Sequence, residues 1–391
     1  MLRTLGFLSP LSNGYKRAVK IPGCSYQWDK KHQRIFVKKE KKILYWFSFL
    51  IFVAAINAHA AIVYKKHGEI VQMSLCIVGI TAMLINAFGM WLNYKNPRIC
   101  SKFLNSLLEI EDQLYSEGQQ NSITPGYLKL ELAMCNLFLL AAKLSPLLLG
   151  FCTGFLPCSA PNFVAPLNPL CDAKTDEWNG LENGWKFLKI GEFLVVAFLN
   201  GIIWKATVAG GCFICIHIMV GFSSQIILVK RIRSEVSFDL SLYTKVRLVN
   251  IYFNQFHCGF LFLLMAVVSS EQACTMYTSF QAVAQHSGKM VPIPVGIWSG
   301  GLCLVLIATN LIMYGVAGSL HTVAMDTLRV AKERKPWKNG IRNAEWKRML
   351  KACPPIKIAF GMSNFIGKET TLNFFHYSIE RFIDLLLLNR V

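Results

Sequence analysis

The chain has 391 residues, of which 53% are hydrophobic and only 16% charged, and its formal net charge is +19. A soluble domain usually carries about 25% charged residues, and several apolar runs here reach the roughly 20 residues that a helix needs to cross a bilayer. The composition therefore indicates an integral membrane protein in a lipid bilayer. The basic residues lie between apolar segments and not on one soluble face, which argues against a nucleic-acid partner.

Met1 to Lys42 is a basic segment with no apolar core long enough for a signal peptide, so the first span would direct insertion. Ile43–Tyr64 and Val71–Tyr94 read as the first two spans. Lys95–Leu130 is amphipathic, with Phe103, Leu104, Leu107, Leu108 and Ile110 interleaved with acids, and is expected to extend the second helix or to lie on the membrane. Glu131–Pro157 is the third span, and Cys158–Lys186 a polar loop. Leu188–Val229 reads as one long helix, because no polar turn separates two halves. Tyr252–Phe280 and Val295–Gly318 are the fifth and sixth spans, Leu320–Cys353 is basic, and Phe365–Leu388 is the seventh. The fold class is all-α, a polytopic membrane protein of seven transmembrane helices.

Lysine and arginine fix the orientation. With the amino terminus cytoplasmic, the inner segments hold 30 of them and the outer segments 7. That is a strong positive-inside bias. It divides the chain into a cytoplasmic segment (1–42), six spans (43–318), and a basic cytoplasmic anchor segment with the last span (319–391). Splitting Leu188–Val229 near Lys205 would give an eight-span transporter, but it puts the basic Leu320–Cys353 outside, and the two halves show no repeat. A G-protein-coupled receptor needs an outer amino terminus, and the acid-Arg-Tyr, Cys-Trp-x-Pro and Asn-Pro-x-x-Tyr steps of that class are absent.

The last span carries Glu380, Arg381 and Asp384 within one helical turn. A charge facing lipid costs a few kcal/mol, so such a helix turns its charges to protein or water. Carboxylates around a pore select cations, which makes Glu380 and Asp384 pore candidates with Arg381 as their partner. Leu385 and Leu388 share the lower turns, and a second pore face would bear Ser378, Leu385 and Leu388. The alternative is an internal salt bridge that packs this helix.

The tail reads Ile356-Lys357-Ile358, Gly361, Phe365-Ile366, then a membrane helix at the end of the chain. Together with length and seven-helix layout, this frame resembles the insect-type gustatory and odorant receptor superfamily. That family's last helix carries Thr-Tyr, five apolar residues, then Gln-Phe. Here Glu380-Arg381 and Leu387-Leu388 stand at those places. The resemblance implies a plasma-membrane, ligand-gated non-selective cation channel. It would be a homo-tetramer, or a hetero-tetramer with a related co-receptor, opened by a small organic tastant or odorant. It also implies a ligand site between the outer halves of the spans, where Gln72, Met73, Phe151, Phe155, Phe193, Phe198 and Trp298 offer the apolar, aromatic lining a small ligand needs.

Lys143 lies at mid-span near Pro146 and either meets a ligand or snorkels. His59, Lys205, His217 and Glu271 are further polar groups in or near spans. Cys158 and Cys171 fall on one outer loop, where they are either bridged or free thiols. No enzyme constellation, zinc-spaced cysteine set or phosphate loop is present, so neither catalysis nor a cofactor or metal is expected.

Overall fold

A computed structural model describes residues 70–116, 216–234, 238–284, 292–333, 343–361 and 364–388 in unbroken runs, a hairpin within 26–37, residues 12, 13 and 214, and separate positions between 46 and 60 and between 129 and 144. Helix α1 is Ile70–Lys95 and α2 is Pro97–Ser116. Helix α3 covers residues 216–234. Helices α4 (Leu240–Ala284), α5 (Pro292–Glu333), α6 (Asn343–Ala352) and α7 (Thr370–Leu388) follow. Two antiparallel hairpins complete the described chain, β1 (Tyr26–Asp29) with β2 (Arg34–Val37), and β3 (Ala359–Phe360) with β4 (Asn364–Phe365).

Proline separates the first two helices. Pro97 has no N–H to give to the preceding turn and suits the first position of a new helix. Accordingly α1 stops at Lys95, whose ammonium lies 4.8 Å from the Trp91 ring, and α2 begins. Over its described residues, 97–116, the amphipathic stretch is thus a helix of its own and not a continuation of α1. Its apolar face, Phe103, Leu104, Leu107 and Leu108, is buried against α4 and the β1–β2 hairpin. Asn105 holds the hairpin by its backbone: its Nδ2 donates to the Ile35 carbonyl at 2.8 Å, and its Oδ1 accepts from the Ile35 N–H at 3.0 Å.

Helix α4 is capped by Asp239, whose Oδ1 accepts from the N–H groups of Ser241 (2.8 Å) and Leu242 (3.1 Å). Its 45 residues extend about 67 Å, more than twice the hydrocarbon thickness of about 30 Å. The helix thus starts well before Tyr252, and residues expected in a cytoplasmic loop belong to it. The same holds for α5, which continues past Gly318 to Glu333. No proline or glycine pair interrupts either continuation, and both extensions find apolar partners. Among the described residues these are the two helices long and apolar enough to cross a membrane, over Leu240–Gln281 and Ser299–Glu333.

The packed core gathers around the first half of α4. Phe253 lies 5.1 Å from Phe103 of α2 and 5.3 Å from Phe222 of α3, edge-on or tilted. Gly221 on α3 makes this approach feasible, since a Cβ there would fall 2.6 Å from the Phe253 ring. Trp346 of α6, set among Lys and Arg in the basic segment, is buried: its indole N–H donates to the Ala331 carbonyl at 3.3 Å, and its ring meets Phe238 edge-on.

Candidate functional site: the last helix and its seam with α4

The last helix begins at Thr370, five residues later than the apolar run suggests, because residues 364–365 pair with β3. The Gly367 N–H donates to Thr370 Oγ1 at 2.9 Å, closing the first turn. Glu369 stands just ahead of it, where the helix dipole favours an acid.

One stripe of α7 touches the rest of the chain. Phe374, Ser378 and Phe382, four residues apart, share it. Phe374 stacks 5.7 Å from Tyr314 of α5, and Phe382 meets Phe280 of α4 edge-on at 6.2 Å. Ser378 is the only buried residue of the helix, and its hydroxyl donates to Gln272 Oε1 of α4 at 2.8 Å. Ser378 therefore belongs to the seam with α4 and not to an open face shared with Leu388. The opposite side is open: Leu372, Leu387 and Leu388 are 76%, 55% and 71% exposed.

The charges of α7 are satisfied within the helix. Arg381 Nη1 lies 2.9 Å from Asp384 Oδ2, and the guanidinium sits 4.9 Å from the Tyr377 ring. Glu380 does not share that arginine. Its carboxylate lies 3.2 Å from His376 Nε2, one turn earlier. His376 escaped sequence reasoning, although its four-residue spacing from Glu380 was the available signal. All four side chains are more than half exposed. Arg381, Asp384, Leu385 and Leu388 line one open groove of about 780 Å3 together with Ile77 of α1 and Cys274 of α4.

Around the seam, α4 carries further polar pairs with α1, with α5 and within itself. Glu271, named above only as a polar group in a span, is buried and accepts from Thr81 Oγ1 of α1 at 2.8 Å. Its neighbour Gln272 receives Ser378, Ser279 and Ser299 lie 2.9 Å apart across α4 and α5, and Gln281 Nε2 donates to the Tyr277 hydroxyl at 3.1 Å. Such pairing is what an apolar surrounding demands, since lipid offers these groups no partner. Hydropathy alone hid the seam, because each polar residue is diluted by apolar neighbours in sequence.

Gln72 and Met73 fall in the first turn of α1 and Trp298 in the first turns of α5, but their side chains lie outside the described residues. Phe151, Phe155, Phe193, Phe198, Lys205, Cys158 and Cys171 lie outside them altogether, as does His59. Lys143 is exposed on a helical segment. His217 is buried, with Nδ1 3.0 Å from His257 Nε2 and Nε2 3.4 Å from Cys100 Sγ.

No family model and no curated protein matches the sequence. Solved structures do match the fold. The chain is similar to the insect olfactory receptor OR5 from Machilis hrabei in complex with eugenol, with a TM-score of 0.56 and 10% identity, over 96% of this chain and 97% of that one. A second structure of that receptor gives a TM-score of 0.57 at 11% identity, over 95% and 97% of the two chains. The chain therefore has the fold of an insect olfactory receptor along almost its whole length.

Proposed function

We propose that this chain is a subunit of an insect-type chemosensory receptor, a ligand-gated non-selective cation channel of the plasma membrane whose conduction path is lined by α7. The observation that carries the reading is the one-sided packing of α7. One stripe is fixed to α4 and α5 through Phe374, Ser378 and Phe382, while Glu380, Arg381 and Asp384 are more than half exposed, the last two along an open groove beside α1 and α4. A membrane helix with three exposed charged groups requires water or other protein around them. A fourfold ring of such helices, from identical subunits or from a related co-receptor, supplies both.

In this reading the amino terminus is cytoplasmic, in keeping with the split of 30 basic residues against 7. The ligand is a small organic tastant or odorant held between the outer halves of the spans, with Gln72, Met73, Lys143, Phe151, Phe155, Phe193, Phe198 and Trp298 as its lining. The receptor of similar fold was solved with eugenol, which supports a ligand of that size and apolarity. The ligand opens the channel by its higher affinity for the open state. The chain has no enzymatic role.

The test is electrical. Cells expressing the chain, alone and with a related co-receptor, are challenged with a panel of small organic compounds, beginning with eugenol. Ligand-evoked cation current is the expected result. In Glu380→Gln and Asp384→Asn, each matched for surface level, the reversal potential under divalent-rich solution shifts, because unit charges about 4 Å from an ion act with a few kcal/mol in a partly screened medium. Absence of current with protein at the surface would refute the channel. Unchanged permeation in both variants would remove these carboxylates from the pore.

A further inference from the structure

The segment between α6 and α7 is gripped along its length by one face of α4. The Tyr243 hydroxyl donates to the Pro354 carbonyl at 3.3 Å. Asn254 Nδ2 donates to the Lys357 carbonyl at 2.9 Å, and Asn254 Oδ1 accepts from the Ala359 N–H at 2.9 Å. The Gly361 N–H donates to the Cys258 carbonyl at 3.2 Å. The repeat distances match: fifteen residues of helix from Tyr243 to Cys258 rise about 22 Å, and seven extended residues from Pro354 to Gly361 cover about 23 Å. Gly361 has φ of 65°, a conformation that favours glycine, and turns the chain into β4.

Behind Asn254 stands a continuous chain of buried amides. Its Nδ2 also donates to Asn250 Oδ1 at 3.0 Å, Asn250 Nδ2 donates to Gln225 Oε1 at 2.8 Å, and Gln225 Nε2 donates to the Gly221 carbonyl at 3.1 Å. The chain thus runs from the α3 backbone through α4 to the β3–β4 hairpin. Beyond the hairpin, Ile366 is fully buried and its N–H donates to the Ile358 carbonyl at 3.0 Å. Gly367 then lies against Gly318 of α5, so close that a Cβ on Gly318 would fall 2.5 Å from its carbonyl oxygen. Helix α7 starts three residues later.

We propose that Asn254 is a positioning residue, a latch that fixes the base of α7 by tying the β3–β4 hairpin to α3 through Asn250 and Gln225. It touches neither α7 nor the proposed conduction path, and it acts through the hairpin alone. This rests on α7 being the conduction helix.

The experiment uses the full chain carrying Asn254→Ala or Asn254→Asp. The aspartate keeps the shape and the acceptor for Ala359 but loses both donors, and it serves if the alanine variant fails to reach the surface. Asn250→Ala cuts the link to Gln225 and leaves the hairpin bonds in place. Amide deuterium exchange on the purified protein reads residues 357–361 and 370–380 separately. Loss of neutral hydrogen bonds worth about 1 kcal/mol each predicts roughly tenfold faster exchange in both windows for the Asn254 variants, and faster exchange at 370–380 for Asn250→Ala. Unliganded current per surface receptor changes at least threefold, with reversal potential unchanged. Faster exchange confined to 357–361, or unliganded current equal to the parent chain when the parent conducts, overturns the latch. A parent chain that passes no current refutes the channel reading instead, and the exchange of 370–380 then decides the latch by itself.

Discussion

Gly318 offers a sharp test of the junction between α5 and α7. A Cβ at this position would meet the Gly367 carbonyl oxygen at 2.5 Å, the Gly367 carbonyl carbon at 2.8 Å and the Lys368 nitrogen at 3.0 Å. All three are backbone atoms, so no side chain can swing aside. Ordinary van der Waals contact begins near 3.4 Å, so Gly318→Ala must push α5 and the start of α7 apart by about 0.9 Å. A gap of that size forfeits between a quarter and a half of the dispersion attraction along the contact, and overpacking of this kind typically costs about 1–3 kcal/mol. Gly315, one turn away on the same helix, has nothing within 4 Å of its notional Cβ. There the change to alanine removes backbone freedom from the unfolded chain and is worth about 0.5–1 kcal/mol in the other direction. Thermal unfolding of the detergent-solubilised protein, followed by loss of the monodisperse chromatographic peak, should show Gly318→Ala lowering Tm by several °C while Gly315→Ala leaves it level or raises it. Equal Tm values for the two variants would refute the close approach of α5 to Gly367.

Further outcomes follow from the same geometry. Ser378→Ala leaves the buried Gln272 carbonyl without its hydroxyl donor and should destabilise the α4–α7 seam by about 1–2 kcal/mol, read as a lower midpoint of thermal unfolding, whereas Leu372→Ala on the exposed side should cost far less in an isolated subunit. Asn105→Ala removes two of the bonds that hold β2 to α2 and leaves the exposed Arg34–Glu109 pair, so limited proteolysis between residues 26 and 37 should speed up severalfold; equal cleavage rates would mean that the buried Tyr26 and Ile35, with that pair, hold the hairpin without Asn105. Gly221→Ala crowds the Phe253 ring at 2.6 Å and should lower Tm, with Phe253→Leu in the same chain restoring part of the loss; no rescue would place the damage elsewhere. An epitope tag at Met1 should be reachable only after permeabilisation and one after Val391 on intact cells, and the reverse pattern would overturn the orientation read from the basic residues.

What the sequence determined by itself is what depends on composition and on near neighbours. The apolar runs and the scarcity of charge mark a membrane protein, and the spacing of Phe103, Leu104, Leu107 and Leu108 announces a one-sided helix, both read locally. The link between Arg381 and Asp384 is legible because it spans three residues of one helix. Tertiary structure decided where elements stop and what they touch. Residues 240–251 and 319–333 look like polar connections by hydropathy, yet they are helix because α2, α3 and α6 supply apolar partners for their buried sides. Ser378, Asn254 and Gly318 carry no local signal at all. A serine, an asparagine and a glycine in a helix are unremarkable until Gln272, the Lys357 carbonyl and Gly367, each at least 49 residues away in sequence, come within bonding or contact distance. Such pairings depend on which helix faces meet, and packing fixes those faces, whereas periodicity tells only that a face exists.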